Sequence, residues 1–113
     1  TRGPSFTVRK FSNEAITPLD LISWNSVSAE VMAFLWLCIE CKKNLLIIGS
    51  TASGKTTMLN AVSLFIPYVS KIISIEDTRE VRLPHENWLP LLAKSGKEMF
   101  ELLKACLRQR PEY

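Results

Sequence analysis

Residues 49–57 read GSTASGKTT. Glycine, glycine, lysine and threonine stand there at the G-x-x-x-x-G-K-[ST] spacing of a phosphate-binding loop. Each fixed position has a physical task. Gly49 and Gly54 allow backbone conformations that residues with a Cβ resist. The amides from about Thr51 to Thr56 then turn inward toward phosphate oxygens. The helix expected to start there adds the positive end of its dipole. Lys55 is expected to reach the β and γ phosphates, the Thr56 hydroxyl to coordinate Mg2+, and Thr57 to donate to the α phosphate. The candidate nucleotide-binding residues are therefore Gly49, Ser50, Thr51, Ala52, Ser53, Gly54, Lys55, Thr56 and Thr57. The loop names a ligand class and no more, because kinases, GTPases, helicases and secretion motors all use it.

The flanking sequence supplies the context that such a loop needs. NLLIIG at 44–49 is an apolar run ended by glycine, expected as a parallel strand covered on both faces. A helical pattern runs from about Gly54 to Phe65, and Pro67 bars its extension. KIISIED at 71–77 reads as a second buried strand ending in two acids, and REVRLPHENWLP at 79–90, with two prolines and no clear period, as loop. GKEMFELLKACLRQR at 96–110 is an amphipathic helix with Met99, Leu102, Leu103, Cys106 and Leu107 on one side. Upstream, SFTVRKF at 5–11 reads as a strand. TPLD at 17–20 starts a short helix, with Thr17 as cap, Pro18 at the first position and Asp20 closing a capping box. Ser28 caps a stronger helix, SAEVMAFLWLCIECKKN, apolar on most faces and expected to be buried between layers. This alternation is the grammar of an α/β fold with a parallel sheet flanked by helices.

Composition excludes several classes. With 47% apolar and 22% charged residues, the 113-residue chain has the balance of a globular domain rather than a disordered segment. A formal charge of +3 is too mild to argue for nucleic acid. The longest apolar run, at 31–39, falls short of the roughly 20 residues that span a bilayer. No apolar stretch of a signal peptide follows the first charge, and the opening threonine suggests a preceding segment or a processed start. An odd count of three cysteines points to a reducing compartment. Cys38 and Cys41 read as helical neighbours in a core rather than a zinc or redox pair, since only Cys106 and His85 could complete a metal site. Trp24, Trp36 and Trp88 lack a basic strand face between them and read as core and loop anchors.

A second candidate site is IEDTRE at 75–80. In open α/β sheets, ligands bind beyond the carboxyl ends of strands. Glu76 and Asp77 sit at such an end, where a carboxylate could hold Mg2+ through water or orient an attacking water. Arg79 could reach a phosphate. A solvated charged turn is the alternative.

Together these stretches resemble the secretion ATPase superfamily of type II and type IV systems, which includes pilus and archaellum motors, and most closely its archaeal-type members. GPSFTVRKF resembles the end of the family's N-terminal domain and its linker, and GSTASGKTT the family's phosphate loop. SIEDTREVRLPHENW resembles its aspartate box, and LLKACLRQRPEY the helix before its Walker B strand. The resemblance implies a partial P-loop, RecA-like domain over 14–113, preceded over 1–13 by the tail of an N-terminal domain and linker. It implies a hexameric motor at the cytoplasmic face of the membrane. Such a motor hydrolyses ATP with Mg2+ against an inner-membrane platform protein, to drive secretion or assemble fibres. No direct nucleic-acid partner is expected.

Under the resemblance, Glu76 matches an aspartate-box glutamate near the γ phosphate and magnesium, making Glu76 and Lys55 the candidate catalytic pair. Thr56 and, through water, Glu76 are the candidate metal ligands. Asp77, Arg79, Glu80, Arg9, Arg108 and Arg110 are weaker candidates, the last two equally explained as a basic helix end favouring its own dipole. His85 precedes the family's histidine box and is expected only to pack or lie at the surface. The chain departs from the family pattern in carrying neither the Walker B strand nor the histidine box. The expectation is a fragment that binds nucleotide and turns over slowly or not at all by itself. A non-catalytic nucleotide-binding or subunit-interaction module, or another P-loop enzyme such as a kinase, are the alternatives.

Overall fold

A computed structural model describes residues 3–6, 8 and 15–113. The expected strand at 5–11 and the candidate Arg9 therefore lie outside the described residues or are described only in part. The elements are α1 (Pro18–Ser23), α2 (Ala29–Glu40), α3 (Lys55–Ser63), β1 (Ile72–Glu76), β2 (Trp88–Leu92) and α4 (Gly96–Gln109).

The helix starts follow their caps. Thr17 is extended and accepts from the Asp20 N–H at 3.3 Å, while the Asp20 carboxylate accepts from the Thr17 N–H at 2.7 Å. This reciprocal box satisfies two donors that a helix otherwise leaves open, and Pro18 occupies the position where a missing N–H costs nothing. Ser28 accepts from Val31 N–H to start α2, and Ser95 from Glu98 N–H to start α4. The core is the seam where these helices meet α3: Leu21 of α1, Met32 and Ile39 of α2, and Ala61 and Val62 of α3. Trp36 extends it by stacking on Phe65, with ring centroids 5.3 Å apart and planes 1° from parallel. Such a pair adds about 0.5–1.5 kcal/mol to its area term.

Three expectations are corrected here. First, α2 is not sandwiched between layers. Only Met32 and Ile39 are buried, while Val31, Phe34, Trp36 and Leu37 are exposed, because α1 and α3 cover one face only. Second, residues 44–49 do not form a strand. An extended run becomes a strand only through a hydrogen-bonded neighbour, and none pairs with it among the described residues. Leu46 and Ile48 stand 86% and 80% exposed, and Ile47 alone packs toward the core. Third, the expected loop at 79–90 contains the start of a strand. β2 pairs in parallel with β1 from Ile72↔Trp88 to Glu76↔Leu92.

Pro90 hid β2 from a sequence reading, yet it fits. The Ala93 N–H donates to Glu76 O at 2.8 Å, so by the two-residue alternation the nitrogen of residue 90 lies on the edge away from β1. The Trp88 indole N–H adds a cross-strand bond to the Ser74 hydroxyl at 3.0 Å. α4 lies against β1 but buries only Cys106, with Leu102 half-buried; Met99, Leu103 and Leu107 of its expected apolar side are exposed.

Tyr113 joins the sheet to the helical core. Its backbone accepts from Ile73 N–H at 3.0 Å and donates to Lys71 O at 3.3 Å, along the β1 edge opposite β2. Its hydroxyl donates to Ile39 O at 2.9 Å, and its ring packs on the core cluster. His85 is buried and stacks on Tyr68. Its Nε2 lies 2.8 Å from Ile66 O, and since a carbonyl only accepts, Nε2 carries the hydrogen. That is the packing role expected of it.

The Thr17 hydrogen bonds hold the Asp20 carboxyl below its usual range. A depressed folded-state value means that the box contributes fully at neutral pH and is lost as the solution is acidified through that value. Thr17→Ala should lower the unfolding free energy by about 1 kcal/mol. Denaturant titrations of Asp20→Asn should show a shallower loss of stability below the usual carboxylate range than the parent.

Candidate nucleotide-binding site

Ser53 N–H closes the phosphate loop onto Ser50 O at 3.3 Å, and the amides that follow it stay open. Gly54, at φ +89°, is the N-cap of α3, and no side chain caps this helix. The first N–H groups of α3 therefore remain available to an anion, at the positive end of the dipole. Ala52 is also left-handed, at φ +62°. Gly49 matters for space rather than for φ, since a Cβ there would collide with the Ser53 hydroxyl. The Lys55 ammonium folds back over the loop and donates to Ser50 O at 2.5 Å.

α3 then fixes the acidic turn against the loop. The Thr56 hydroxyl donates to Glu80 Oε2 at 2.6 Å. One helical turn later on the same face, Asn60 donates to Glu80 O at 3.0 Å and accepts from Arg82 N–H at 2.9 Å. The result is a cavity of about 440 Å³ lined by residues 51–57, Asp77 and Glu80. Thr56, Asp77 and Glu80 offer only oxygen donors. That suits Mg2+, which takes one or two carboxylates, keeps waters and completes its shell with substrate phosphates. Among the described residues no group of three or more His, Cys, Asp and Glu forms an all-protein cage.

The sequence candidates separate on this geometry. Glu76 does not line the cavity. Its Oε1 accepts from the Glu80 and Val81 N–H groups at 2.9 and 2.7 Å, and Ser74 donates to Oε2 at 3.3 Å. The carboxylate at the strand end is thus turned onto its own loop, and the acid that reaches Thr56 is Glu80. Asp77 lines the cavity as expected of a second acid. Arg79 is exposed and does not line it. Arg108 lies in the last turn of α4 and Arg110 is its left-handed C-cap at φ 49°; both are exposed and neither lines the cavity. Gly49 and Ser50 shape the loop from outside the lining. Asn60 was missed, although a polar residue one turn after Thr56 in the largely apolar MLNAVSLF was a usable signal.

Comparison with known proteins places the chain. The sequence profile described as type II/IV secretion system protein matches residues 1–113. The chain belongs to this family. An uncharacterized protein of Methanocaldococcus jannaschii is 51% identical, over 99% of this chain and 21% of its own length. The type IV secretion system protein VirB11 of Bartonella quintana is 39% identical, over 74% of this chain and 25% of its own length. The crystal structure of the VirB11 ATPase from the Brucella suis type IV secretion system, in complex with sulphate, superposes with a TM-score of 0.67 at 31% identity. That match covers 97% of this chain and 38% of that one. The chain therefore spans well under half the length of these family members. The α/β fold read from the sequence agrees with this match.

The two left-handed positions respond oppositely to a Cβ. Gly54→Ala should destabilise by about 1–2 kcal/mol, whereas Ala52→Gly should be neutral or stabilise by up to about 1 kcal/mol. Chemical denaturation of both variants checks the sign.

Proposed function

We propose that this chain carries the phosphate-handling part of an ATP site in a secretion motor, one that powers protein secretion or assembles a pilus or archaellum filament. The observation that carries the reading is the Thr56–Glu80 bond. It places a carboxylate beside an uncapped phosphate loop, in a chain of a family that includes VirB11 ATPases.

Lys55 would exchange its Ser50 carbonyl for the β and γ phosphates, and Thr56 and Glu80 would hold Mg2+ directly or through water. Asp77 would supply the second acid of the cavity. Glu76 would act as a positioning residue, since it fixes the backbone that presents Glu80. Arg79, Arg108, Arg110 and Arg9 would matter only if a neighbouring subunit brings them to a nucleotide. Hydrolysis would then belong to a homo-hexamer docked through an inner-membrane platform protein, with the protein peripheral at the cytoplasmic face. No helix of the described residues is long and apolar enough to cross a membrane.

The test uses the protein as its gene encodes it, with ATP binding measured calorimetrically with and without Mg2+. Lys55→Ala should weaken ATP by about tenfold to a hundredfold, the span of a lost charged hydrogen bond. Glu80→Gln should remove most of the Mg2+-dependent gain. Glu76→Gln retains an acceptor oxygen for the turn and should stay near the parent, while Glu76→Ala should resemble Glu80→Gln. ATP affinity unchanged in Lys55→Ala would refute the reading.

A further inference from the structure

A row of polar side chains on one face of the sheet leads from β2 to the acidic turn. Side chains alternate along a strand, so Ile72, Ser74 and Glu76 of β1 share a face. The register pairs Trp88 with Ile72, which puts the indole on that same face, next to Ser74. Trp24, expected as an anchor, is 58% exposed, whereas Trp88 is half-buried and bonded.

Donor and acceptor capacity fixes the sense of each bond. An indole N–H only donates, and an ionised carboxylate only accepts. Trp88 Nε1 therefore donates to Ser74 Oγ at 3.0 Å, which steers the Ser74 proton away from the indole. That hydroxyl donates to Glu76 Oε2 at 3.3 Å. The other oxygen, Oε1, accepts from the Glu80 and Val81 N–H groups at 2.9 and 2.7 Å. A carboxylate held through one oxygen can pivot about it, and a bond to the second oxygen opposes the pivot. Hydrogen bonds aligned in series also polarise one another. The series ends at the turn whose Glu80 meets Thr56 of the phosphate loop.

We propose that Ser74 and Trp88 are positioning residues of the nucleotide site. They steady the Glu76 carboxylate, and through it the turn that presents Glu80 to the loop and its cation. This rests on the nucleotide reading above and extends it to two side chains that do not line the cavity. Their action is indirect, and that gives it a signature. It should touch the Mg2+-dependent part of ATP binding, because Glu80 serves the cation, and it should vanish when Glu76 is gone.

The experiment measures ATP affinity with and without Mg2+ on the protein as its gene encodes it. Ser74→Ala should cut the Mg2+-dependent gain about threefold to tenfold, the range of one hydrogen bond, and leave ATP without Mg2+ at the parent value. Ser74→Thr retains the hydroxyl and should restore the gain. Trp88→Phe keeps a ring but loses the donor, and should show a smaller loss of the same kind. In a Glu76→Ala background neither Ser74→Ala nor Trp88→Phe should cost anything further, since the group they steady is absent. Hydrogen exchange of the nucleotide-free protein is the second readout. Ser74→Ala should speed exchange at the Glu80 and Val81 amides, while the Ile72 amide, bonded to Asn87 O, keeps the parent rate and reports an intact sheet. A parent-like Mg2+ gain in Ser74→Ala or Trp88→Phe, an equal loss for ATP without Mg2+, a full further loss in the Glu76→Ala background, or unaltered exchange at Glu80 and Val81 would each overturn the proposal. Parent-like ATP affinity in Lys55→Ala would instead remove the nucleotide reading, and this proposal with it.

Discussion

The clasp between α3 and residues 80–82 is the constraint on which the site depends. A phosphate loop by itself is an anion cradle at a helix N-terminus. Thr56 and Asn60, one turn apart on α3, convert it into a two-sided chamber by holding the Glu80 carboxylate, the Glu80 carbonyl and the Arg82 N–H together. Behind the clasp, Glu76 ties the same turn to the end of β1 through two backbone N–H groups. The acidic turn is thus gripped from the helix on one side and from the strand on the other. Either grip alone would leave an exposed turn after a strand to wander, since loops carry few apolar contacts. With both, a carboxylate is placed against a helix start without burying it.

What was legible in the sequence was whatever is decided by neighbours along the chain. The caps at Thr17 and Ser28, the left-handed Gly54 and the strand at β1 depend on residues within a few positions of one another. What was not legible depends on partners distant in sequence. Residues 44–49 have the composition of a buried strand but no hydrogen-bonded neighbour among the described residues, so composition alone predicted an element that is not formed. β2 is the reverse case: its Pro90 argues against a strand unless the missing N–H falls on the unpaired edge, and only the register with β1 reveals that it does. The burial of α2 was overestimated for the same reason, because an apolar helix is covered only where other elements happen to lie.

The choice between Glu76 and Glu80 shows that a motif can point to a segment without saying which of its acids faces the loop. Both are acids after the same strand, and spacing cannot say which one faces the loop. A carboxylate at a strand end has two competing uses, to face outward to a ligand or to accept from amides of the turn that follows. The second satisfies backbone donors that would otherwise need water. Glu76 takes it with bonds of 2.9 and 2.7 Å, which leaves the outward task to the acid whose own N–H it holds. The two residues are therefore coupled: one presents the other. Loss of activity on replacing Glu76 would not by itself make it a metal ligand, because removing the anchor displaces Glu80 as well. A neutral side chain that still accepts a hydrogen bond separates the two roles. It keeps the turn while removing the charge, and only a charge in contact with the cation would be missed.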